Sequence, residues 1–438
     1  MEEILVREIK TVTIVGANGT MGRNVAAIYA AFGGCTVYLV CRDINKAKAT
    51  VAKSVLSVRA DSIASRLIPA DYAMLDECVA KSDIVVEHIK EELGAKVELM
   101  QKIGKVMPSH AIACSGSSGL SITTLAECFP DNLRSHFFGV HMFNPPYAMT
   151  LCELIPTRYS DMGLFADLKD YLSNILLRTV VVVKDSPAFL GNRIGFQFIN
   201  EALQYAEKYK DNGGIDYVDA ILGAYTGRTM APITTADFVG LDIHKAIVDN
   251  IYANTNDFSH KSFICPGYIN KLVEKGMFGR KSGGGLYYLK KFDSGVKQMY
   301  VYDIASDSYR EANKYVFPFA ETMIRKLRKG SYKSAFQALI DNHSQEAEMC
   351  LHFLLKYVIY SIAASEEVGF SVHDADDVMA AGFNWCPPMA VVDAILEVTD
   401  FKELVKERLE LGSVEVDHLL SLIEPSKYDF RIYFKAKK

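Results

Sequence analysis

The chain has 438 residues, of which 50% are hydrophobic and 23% charged, as in a soluble globular protein of two to three domains. Its 48 basic and 53 acidic residues give a net charge of −5, which argues against nucleic acid or an anionic membrane as a partner. Apolar runs stay short of the ~20 residues of a membrane span. The acidic N-terminus does not resemble a signal peptide, and nine cysteines without a Cys-x-x-Cys pair suggest reduced thiols and no metal site. We therefore expect a cytoplasmic protein.

The first predicted element is a strand that leads into a glycine-rich turn and then a helix. Residues 11–22 read TVTIVGANGTMG, with a β-rich run followed by Gly16, Gly19 and Gly22. Glycines in that context allow a tight turn and let a pyrophosphate approach the helix N-terminus. The spacing GxxGxxG is one residue longer in its first gap than the usual GxGxxG. The flanking strand and helix favour nucleotide binding over an ordinary turn.

The end of the second predicted strand, Thr36–Val40, bears on the choice of cofactor. A carboxylate at this strand tip normally binds the ribose 2′-hydroxyl and favours NAD. Here Cys41 occupies the tip and is followed by Arg42 and Asp43. Arg42 could bind a 2′-phosphate or be a solvated loop charge. The strand tip therefore leaves both NAD and NADP open as the cofactor.

Further strands alternate with helical patterns, of which one is predicted near residues 45–65. This alternation predicts a mainly parallel sheet with helices on both faces, where ligands bind at the carboxyl ends of the strands. Polar clusters follow three strands, at Glu87–Glu91, Ser115–Ser118 and His141. The further predicted strands are Ile84–Val86, Ala111–Cys114, Phe137–Phe143 and Leu177–Val183.

A histidine and an acid flank an Asn-Pro-Pro break in the stretch FFGVHMFNPPYAMTLCE, residues 137–153. Glu153 lies twelve residues after His141, inside a second apolar run. A strand that ends in histidine and returns past a carboxylate can bring the two side chains together. Such a pair suits general base catalysis, because the carboxylate fixes the imidazole tautomer and stabilises its charged form. The alternative is a core histidine and an unrelated acid. The position of His141 at a carboxyl strand end favours the pair.

The character of the sequence changes after Lys184, where strand signals fade. Asp185-Ser186-Pro187 is a good helix start, and a helix is predicted from Ala188 to Lys208. We therefore predict a dinucleotide-binding domain at 1–185, a first helical domain at 186–290, a connector at 291–340 with weak β character and a helix, and a second helical domain at 341–438.

The second helical domain is predicted to be a divergent repeat of the first. DYVDAILGA at 216–224 is similar to DADDVMAAG at 374–382, and a proline precedes an aspartate by five residues downstream in both. Chance similarity between helical segments is the alternative. The aligned residues are Asp216 with Asp374, Asp219 with Asp377, Pro232 with Pro388, and Asp237 with Asp393.

Six motifs together resemble the 3-hydroxyacyl-CoA dehydrogenase family in the family's order over residues 11–290. The resemblance implies an α/β Rossmann-type NAD-binding domain followed by an all-α C-terminal domain like that of 6-phosphogluconate dehydrogenase, duplicated here as in long family members. The motifs are GANGTMG at 16–22, EHIKEELGAK at 87–96, SGSSGLSIT at 115–123, HMFNPPYAMTLCE at 141–153, DSPAFLGNRI at 185–194 and GRKSGGGLYY at 279–288.

The resemblance implies NAD-dependent oxidation of (S)-3-hydroxyacyl-CoA to 3-oxoacyl-CoA, or the reverse, in fatty-acid β-oxidation or butyrate metabolism. His141 matches the catalytic histidine and Glu153 its carboxylate partner. Ser118, or Ser117 by a one-residue ambiguity, and Asn192 match substrate-contacting residues. Glu91, Lys96, Asn144 and Lys281 match cofactor-contacting positions. With the glycine loop and Arg42, the predicted cofactor-binding residues are Gly16, Asn18, Gly19, Thr20, Met21, Gly22, Arg42, Glu91, Lys96, Ser118, Asn144 and Lys281.

The sequence departs from the family pattern at Cys41-Arg42, in the longer glycine loop, and at His88, where a small residue is usual. The competing hypotheses are an NADP-dependent dehydrogenase of a free hydroxy acid and a non-catalytic nucleotide-binding protein. The expected partner is an acyl-CoA thioester. The second helical domain lacks a pair like Asn192-Arg193, so we expect it to be structural. The chain would then be a monomer with an internal pseudo-dimer of helical domains, or a homodimer.

Overall fold

The computed structural model describes residues 8–409 and 413–435, and it divides into two compact units between Phe189 and Leu190. The division falls four residues beyond the boundary expected from the sequence. Residues 1–7, which include most of the acidic N-terminus, lie outside the described part, as do 410–412 and 436–438 at the end of the second predicted helical domain.

The first unit is built on an eight-stranded sheet in the order β3-β2-β1-β4-β5-β6-β7-β8. The first six strands run parallel, β7 pairs with β6 in the antiparallel sense, and β8 is parallel to β7. The strands are β1 Thr11–Val15, β2 Thr36–Cys41, β3 Leu67–Asp71, β4 Ile84–Glu87, β5 Ile112–Ser115, β6 Phe137–Met142, β7 Leu151–Ile155 and β8 Thr179–Val182. The helices are α1 Thr20–Ala31, α2 Ile44–Val58, α3 Leu75–Ala80, α4 Leu93–Val106, α5 Ile122–Ala126 and α6 Met162–Asp170.

The central strands are continuous apolar runs because helices cover both faces of the sheet. Every residue of β4, β5, β6 and β7 is buried. The expected mainly parallel sheet is confirmed, but β3 was missed. Its sequence, LIPAD, contains Pro69, which normally argues against a strand. A proline is tolerated there because β3 is an edge strand and pairs with β2 alone.

The second unit is mainly helical. Its helices are α7 Gly191–Lys208, α8 Ile215–Ile221, α9 Pro232–Val239, α10 Leu241–Asn254, α11 Gly267–Glu274, α12 Pro318–Arg328, α13 Tyr332–Ile340, α14 Gln345–Val368, α15 Val372–Val378, α16 Pro388–Leu396, α17 Phe401–Arg408 and α18 Ser413–Ser421. The helix expected from Ala188 begins only at Gly191. Ala188 and Phe189 have φ of 63° and 52°, and a right-handed helix cannot pass through two left-handed residues.

The segment predicted as a connector has more structure than expected. It contains two strands of an antiparallel sheet in the order β11-β10-β9, whose first strand, β9, begins before the predicted connector. Two helices, α12 and α13, follow instead of one. The strands were hard to predict because most of their residues are exposed or half-buried, which leaves a weak apolar pattern. They are β9 Tyr287–Lys291, β10 Lys297–Asp303 and β11 Ser308–Glu311.

The later helices of the second unit pack on α7. The Phe198 ring lies 5.1 Å from the ring of Phe353 and 5.4 Å from that of Trp385, between ring centroids. A buried ion pair accompanies these rings, with Lys356 Nζ 2.8 Å from Glu201 Oε2. Helix α14 is long and apolar enough to cross a membrane, but 78% of its most apolar window is buried within the protein, as in the core helix of a globular unit.

An aspartate side chain holds the start of a later helix at two places in this unit. Asp219 accepts the backbone N–H of Ile233, the second residue of α9, at 2.7 Å. Asp376 accepts that of Met389, the second residue of α16, at 2.9 Å. The sequence alignment had paired Asp219 with Asp377, so the residue that performs the capping lies one position earlier than expected.

The neighbouring aligned aspartates agree only in part. Asp377 accepts the hydroxyl of Tyr428, as Asp219 accepts that of Tyr287. The helix cap and the tyrosine contact, both made by Asp219 in the first segment, are therefore divided between Asp376 and Asp377 in the later segment. Asp237 and Asp393 each accept a backbone N–H, from Leu286 and Ser426 respectively. Asp216 and Asp374 do not correspond, because the first pairs with Arg310 and the second accepts the backbone N–H of Ser371, the N-cap residue of α15.

Candidate active site

The glycine loop, residues 16–22, follows β1 at the carboxyl edge of the sheet. Gly16 has a φ of +82°, and a Cβ there would lie 2.5 Å from the carbonyl oxygen of His88. A Cβ on Gly22 would lie 2.6 Å from the carbonyl oxygen of Gly16. Helix α1 begins at Thr20 with neither a side-chain cap nor an acidic residue in its first turn. Its first N–H groups are therefore suited to an anion such as a diphosphate.

A cavity of about 400 Å³, here called the dinucleotide cavity, opens beside this loop and is lined in part by Gly16, Asn18 and Gly19. Thr20 and Met21 are the first two residues of α1, and Thr20 is exposed. A dinucleotide fits three features together: the tight glycine loop, the start of α1 without a side-chain cap, and the adjacent cavity. These features are the ones expected from the glycine spacing.

The tip of β2 carries no carboxylate toward this cavity. Cys41 is the last strand residue and is buried, and burial raises the pKa of its thiol. Arg42 is exposed and lines the cavity. Asp43 serves as the N-cap of α2, where its Oδ1 accepts the backbone N–H groups of Asn45 and Lys46 at 2.9 and 3.0 Å. The next acid along the chain, Asp43, is thus engaged in starting a helix.

A buried charge cluster lies under the ends of β4 and β5. Lys96 Nζ is 2.7 and 2.8 Å from the two oxygens of Glu87 and 3.3 Å from Glu91 Oε2. Ser115 Oγ donates to Glu87 at 2.8 Å. Lys96, expected to contact the cofactor, is 1% exposed and pairs with two carboxylates. Glu87 was not assigned a role from the sequence. Its position as the last residue of β4, nine residues before a lysine, was the available signal.

Glu91 hydrogen-bonds the loop between β5 and α5, residues 116–121, which is here called the serine loop. Its Oε1 accepts the backbone N–H groups of Ser118 and Gly119, both at 3.0 Å, and the hydroxyl of Ser117. Burial acts to raise the pKa of Glu91, but the Lys96 ammonium and these hydrogen bonds outweigh it and lower the pKa. Ser117 is buried and faces Glu91, whereas Ser118 is partly exposed. Of the two serines, Ser118 is the more exposed.

His141 and Glu153 form a buried pair across β6 and β7. They are direct register partners in the antiparallel ladder, and His141 Nδ1 lies 2.7 Å from Glu153 Oε2. His141 is 7% exposed and Glu153 fully buried. The rings of Phe143 and Phe189 lie 4.8 and 5.5 Å from the imidazole ring, between centroids, and restrict its orientation. The strand-and-return geometry expected from the sequence therefore brings these two side chains into contact.

The remaining predicted site residues have other surroundings. Asn144 is exposed and follows the end of β6 by two residues, and its bond to Pro145 is cis. Asn192 lies in the first turn of α7 in the second unit and is 7% exposed. Lys281, also in the second unit, forms a 2.5 Å ion pair with Asp242.

Two sequence profiles of one family match the chain. Residues 11–186 match the NAD binding domain of 3-hydroxyacyl-CoA dehydrogenase, and residues 189–289 match its C-terminal domain. The chain belongs to the 3-hydroxyacyl-CoA dehydrogenase family. This membership makes it one of a family of oxidoreductases and identifies NAD as the cofactor of the first unit.

Relatives of known sequence agree with this family. Human mitochondrial hydroxyacyl-coenzyme A dehydrogenase is 31% identical over 297 residues, which cover 64% of this chain and 92% of the human protein. A Bacillus subtilis protein named "Probable 3-hydroxyacyl-CoA dehydrogenase" is 30% identical over 333 residues, or 76% of this chain. The match spans only 41% of the length of the Bacillus protein.

A solved structure extends the similarity of fold to almost the whole chain. The crystal structure of 3-hydroxybutyryl-CoA dehydrogenase from Escherichia coli superposes with a TM-score of 0.68 and covers 95% of this chain and 99% of that chain. The two are 19% identical in sequence, so the similarity concerns the fold alone. The similarity of fold to that structure therefore includes the later helices as well as the two domains that match by sequence.

Proposed function

We propose that the chain interconverts (S)-3-hydroxyacyl-CoA and 3-oxoacyl-CoA with NAD, and that His141 acts as the general base and acid. The observation that carries the proposal is the 2.7 Å contact between His141 Nδ1 and Glu153 Oε2, in a buried strand pair at the carboxyl edge that also carries the glycine loop. A fatty-acid β-oxidation or butyrate-type pathway would supply such thioesters.

The hydrogen bond to Glu153 determines which imidazole nitrogen can react. A carboxylate can only accept, so Nδ1 donates its proton and Nε2 keeps a lone pair. In the oxidation direction, Nε2 takes the hydroxyl proton of the substrate as the C3–H bond breaks. The resulting imidazolium is stabilised by the buried Glu153 carboxylate. In the reduction direction, the same nitrogen returns the proton to the alkoxide oxygen.

Bound NAD would supply the hydride acceptor, and the protein positions the reacting atoms. Ser118 and Asn192 are proposed to hydrogen-bond the substrate oxygen atoms and so orient the alcohol. The glycine loop would hold the diphosphate, and Glu91, Lys96, Asn144 and Lys281 are proposed cofactor-contacting positions. For Lys96 this role is exerted through Glu91, because its ammonium already pairs with Glu87 and Glu91.

The deciding experiment is a rate measurement with purified protein, acetoacetyl-CoA and NADH. We expect turnover in the wild type and a loss of about 10²- to 10⁴-fold in kcat for His141→Ala, the usual contribution of a general acid or base. His110→Ala is the matched control. His110 is exposed and lies just before the amino end of β5, whereas His141 lies near the carboxyl end of the parallel strand β6. Wild-type rates in His141→Ala would refute the assigned mechanism.

A panel of substrates and cofactors separates the alternatives. Turnover of free acetoacetate in preference to acetoacetyl-CoA would identify a dehydrogenase of free hydroxy acids. Binding of NADH without any turnover would identify a non-catalytic nucleotide-binding protein. NADPH is included because Arg42 lines the cavity where a 2′-phosphate would lie. A higher rate with NADPH than with NADH would identify an NADP-dependent enzyme.

We further propose that the later helices are a divergent copy of the first helical domain and serve as its internal partner. Support comes from the matching aspartate caps at Asp219 and Asp376 and from the packing of α14 on α7. The second copy would be structural, and the chain would be a monomer; a homodimer is the alternative. All nine cysteines are free thiols, which suits the cytoplasm as the proposed location.

A further inference from the structure

One end of the dinucleotide cavity is formed where the carboxyl ends of β2 and β3 meet. Cys41 and Asp71, the last residues of these two strands, are register partners in the sheet. Arg42 and Tyr72 follow them directly in the chain, and both line the cavity. In a dinucleotide-binding sheet, the adenosine ribose lies beside the end of the second strand. Arg42 and Tyr72 therefore lie at the adenosine end of the cavity.

The residues at these strand ends lack an acid that is free to bind the ribose. Cys41 is buried, and because burial raises the pKa of its thiol, the side chain is neutral at neutral pH. Asp43 caps α2, and Asp71 Oδ1 accepts the backbone N–H of Ala73 at 3.0 Å. A carboxylate directed at the ribose binds its 2′-hydroxyl and repels a 2′-phosphate, which is how NAD is selected over NADP. The usual barrier to a 2′-phosphate is therefore missing at this position.

The charge along the cavity is mainly positive. Arg42, Lys90 and Lys102 line it, whereas Glu98 is the one carboxylate among the described lining residues. Lys102 pairs with Glu98 at 2.9 Å, and Lys90 pairs with Glu92. Arg42 is exposed and forms neither an ion pair nor a hydrogen bond within the part of the chain that the structure describes. Its guanidinium is therefore the cation of this lining that lacks an acidic partner.

Tyr72 places a hydroxyl donor in the field of these cations. Burial raises the pKa of Tyr72, and the positive charges of Arg42 and Lys102 act in the opposite direction. The hydroxyl is thus protonated at neutral pH and can donate a hydrogen bond to an anion. His88, which also lines the cavity, adds no charge, because burial lowers its pKa to about 3. The adenosine end of the cavity therefore combines an unpaired guanidinium with a neutral hydroxyl donor.

We propose that the adenosine end of the dinucleotide cavity binds a 2′-phosphate on Arg42, so that the protein accepts NADP as well as NAD. This inference rests on the proposed dinucleotide site and deepens it by naming the residue that determines cofactor specificity. A guanidinium presents a planar fork of N–H donors that matches two phosphate oxygens at once. Tyr72 would donate a further hydrogen bond to the same phosphate, and the neutral Cys41 would not repel it.

The test is calorimetric titration of the full-length protein with 5′-AMP, adenosine 2′,5′-bisphosphate and adenosine 3′,5′-bisphosphate. The two bisphosphates carry the same charge, and only the first has its added phosphate on the 2′-oxygen. We expect the 2′,5′-bisphosphate to bind about 10- to 100-fold more tightly than 5′-AMP, the effect of a charge-assisted hydrogen bond. It should also bind more tightly than its 3′,5′ isomer. In parallel titrations, NADPH should bind at least as tightly as NADH.

Variants of Arg42 test whether this residue is the source of the preference. In Arg42→Ala the preference for the 2′,5′-bisphosphate over 5′-AMP should largely disappear, and Arg42→Lys should keep part of it, because an ammonium retains the charge without the fork. Lys48→Ala is the matched control, since Lys48 is exposed on α2 and is not a lining residue of the cavity. Its preference should equal that of the wild type. Circular dichroism verifies folding, and Arg42→Lys decides if Arg42→Ala does not fold.

Three results would overturn the inference. They are equal wild-type affinities for 5′-AMP and the 2′,5′-bisphosphate, equal affinities for the two bisphosphates, and a wild-type preference that persists in Arg42→Ala. Each of them leaves the proposed function intact, because turnover of acetoacetyl-CoA with NADH does not require a 2′-phosphate subsite. Failure of the wild type to bind either 5′-AMP or NADH would instead refute the dinucleotide site itself, and the inference with it.

Discussion

Lys96, which the family resemblance implies is a cofactor-contacting residue, is buried in an ion-pair cluster. Its neighbours on α4 are largely exposed, yet its ammonium is 1% exposed and lies between Glu87 and Glu91. Through Glu91 it is connected to the serine loop after β5. Lys96 thereby helps to fix Glu91, which hydrogen-bonds the serine loop. This arrangement depends on the ion pairs of Lys96 with both Glu87 and Glu91.

Removal of this lysine is expected to destabilise the first unit. In Lys96→Met the Glu87 carboxylate remains buried without its cation, which costs about 3–5 kcal/mol of unfolding free energy in comparable pairs. Chemical denaturation followed by circular dichroism measures the loss. Lys81→Met is the control, because the Lys81–Glu77 pair is exposed and its removal should leave the midpoint unchanged. Equal midpoints for the two variants would contradict a structural role for Lys96.

At the scale of elements, the β6–β7 pair was the part of the site most open to prediction. Two apolar runs separated by Asn-Pro-Pro imply a strand and its return, and a period of two then places His141 opposite Glu153. The glycine loop was predictable for a similar reason, since its flanking strand and helix are local features. Both are determined by short segments of chain.

Other parts of the site depend on contacts that no local pattern contains. The orientation of Ser117 toward Glu91 arises from two strands brought side by side, as does the cover that His88 places over Gly116. The start of α7 was also hidden. Pro187 is a favourable helix start, but the left-handed residues after it are imposed by the surrounding structure.

The aspartate caps in the second unit give a pH-dependent prediction. Burial raises the pKa of Asp376 to about 6, above the value near 3.9 of an unfolded chain. Between these two pH values the folded protein binds more protons than the unfolded one, so the unfolding free energy falls as pH rises from about 4 to 6. Asp376→Asn keeps an acceptor for Met389 but does not titrate. Its stability relative to the wild type should therefore increase over this range, by on the order of 2 kcal/mol.

Denaturation series at several pH values between 4 and 8 measure this difference. The matched control is the variant Asp293→Asn, because Asp293 is exposed in the turn between β9 and β10. The unfolding free energy of this variant relative to the wild type should stay constant across the series. A constant difference for Asp376→Asn across the series would count against a raised pKa. A difference that declines with rising pH would have the wrong sign for a buried acid.

At the scale of the whole molecule, the second unit contains two helical segments that pack together, and α7 contributes to the contact between them. Helix α7 contacts the later segment through aromatic rings and through the Glu201–Lys356 ion pair. We expect light scattering after size-exclusion chromatography to give a molar mass near 48.7 kDa, because the face of α7 is already covered. A concentration series is the control for weak association. A stable dimer across the series would show that the later segment does not replace a second subunit.

The single tryptophan of the chain, Trp385, is buried in the second unit against Phe198 and under the guanidinium of Arg228. The intrinsic tryptophan fluorescence therefore reports on the helical unit and is insensitive to unfolding confined to the sheet unit. Circular dichroism reports on both units. Coincident transitions by the two signals would mean that the units unfold as one cooperative body, and separate transitions that each has its own stability. Comparison of tryptophan fluorescence with circular dichroism thus measures whether the two units unfold together, without an added label.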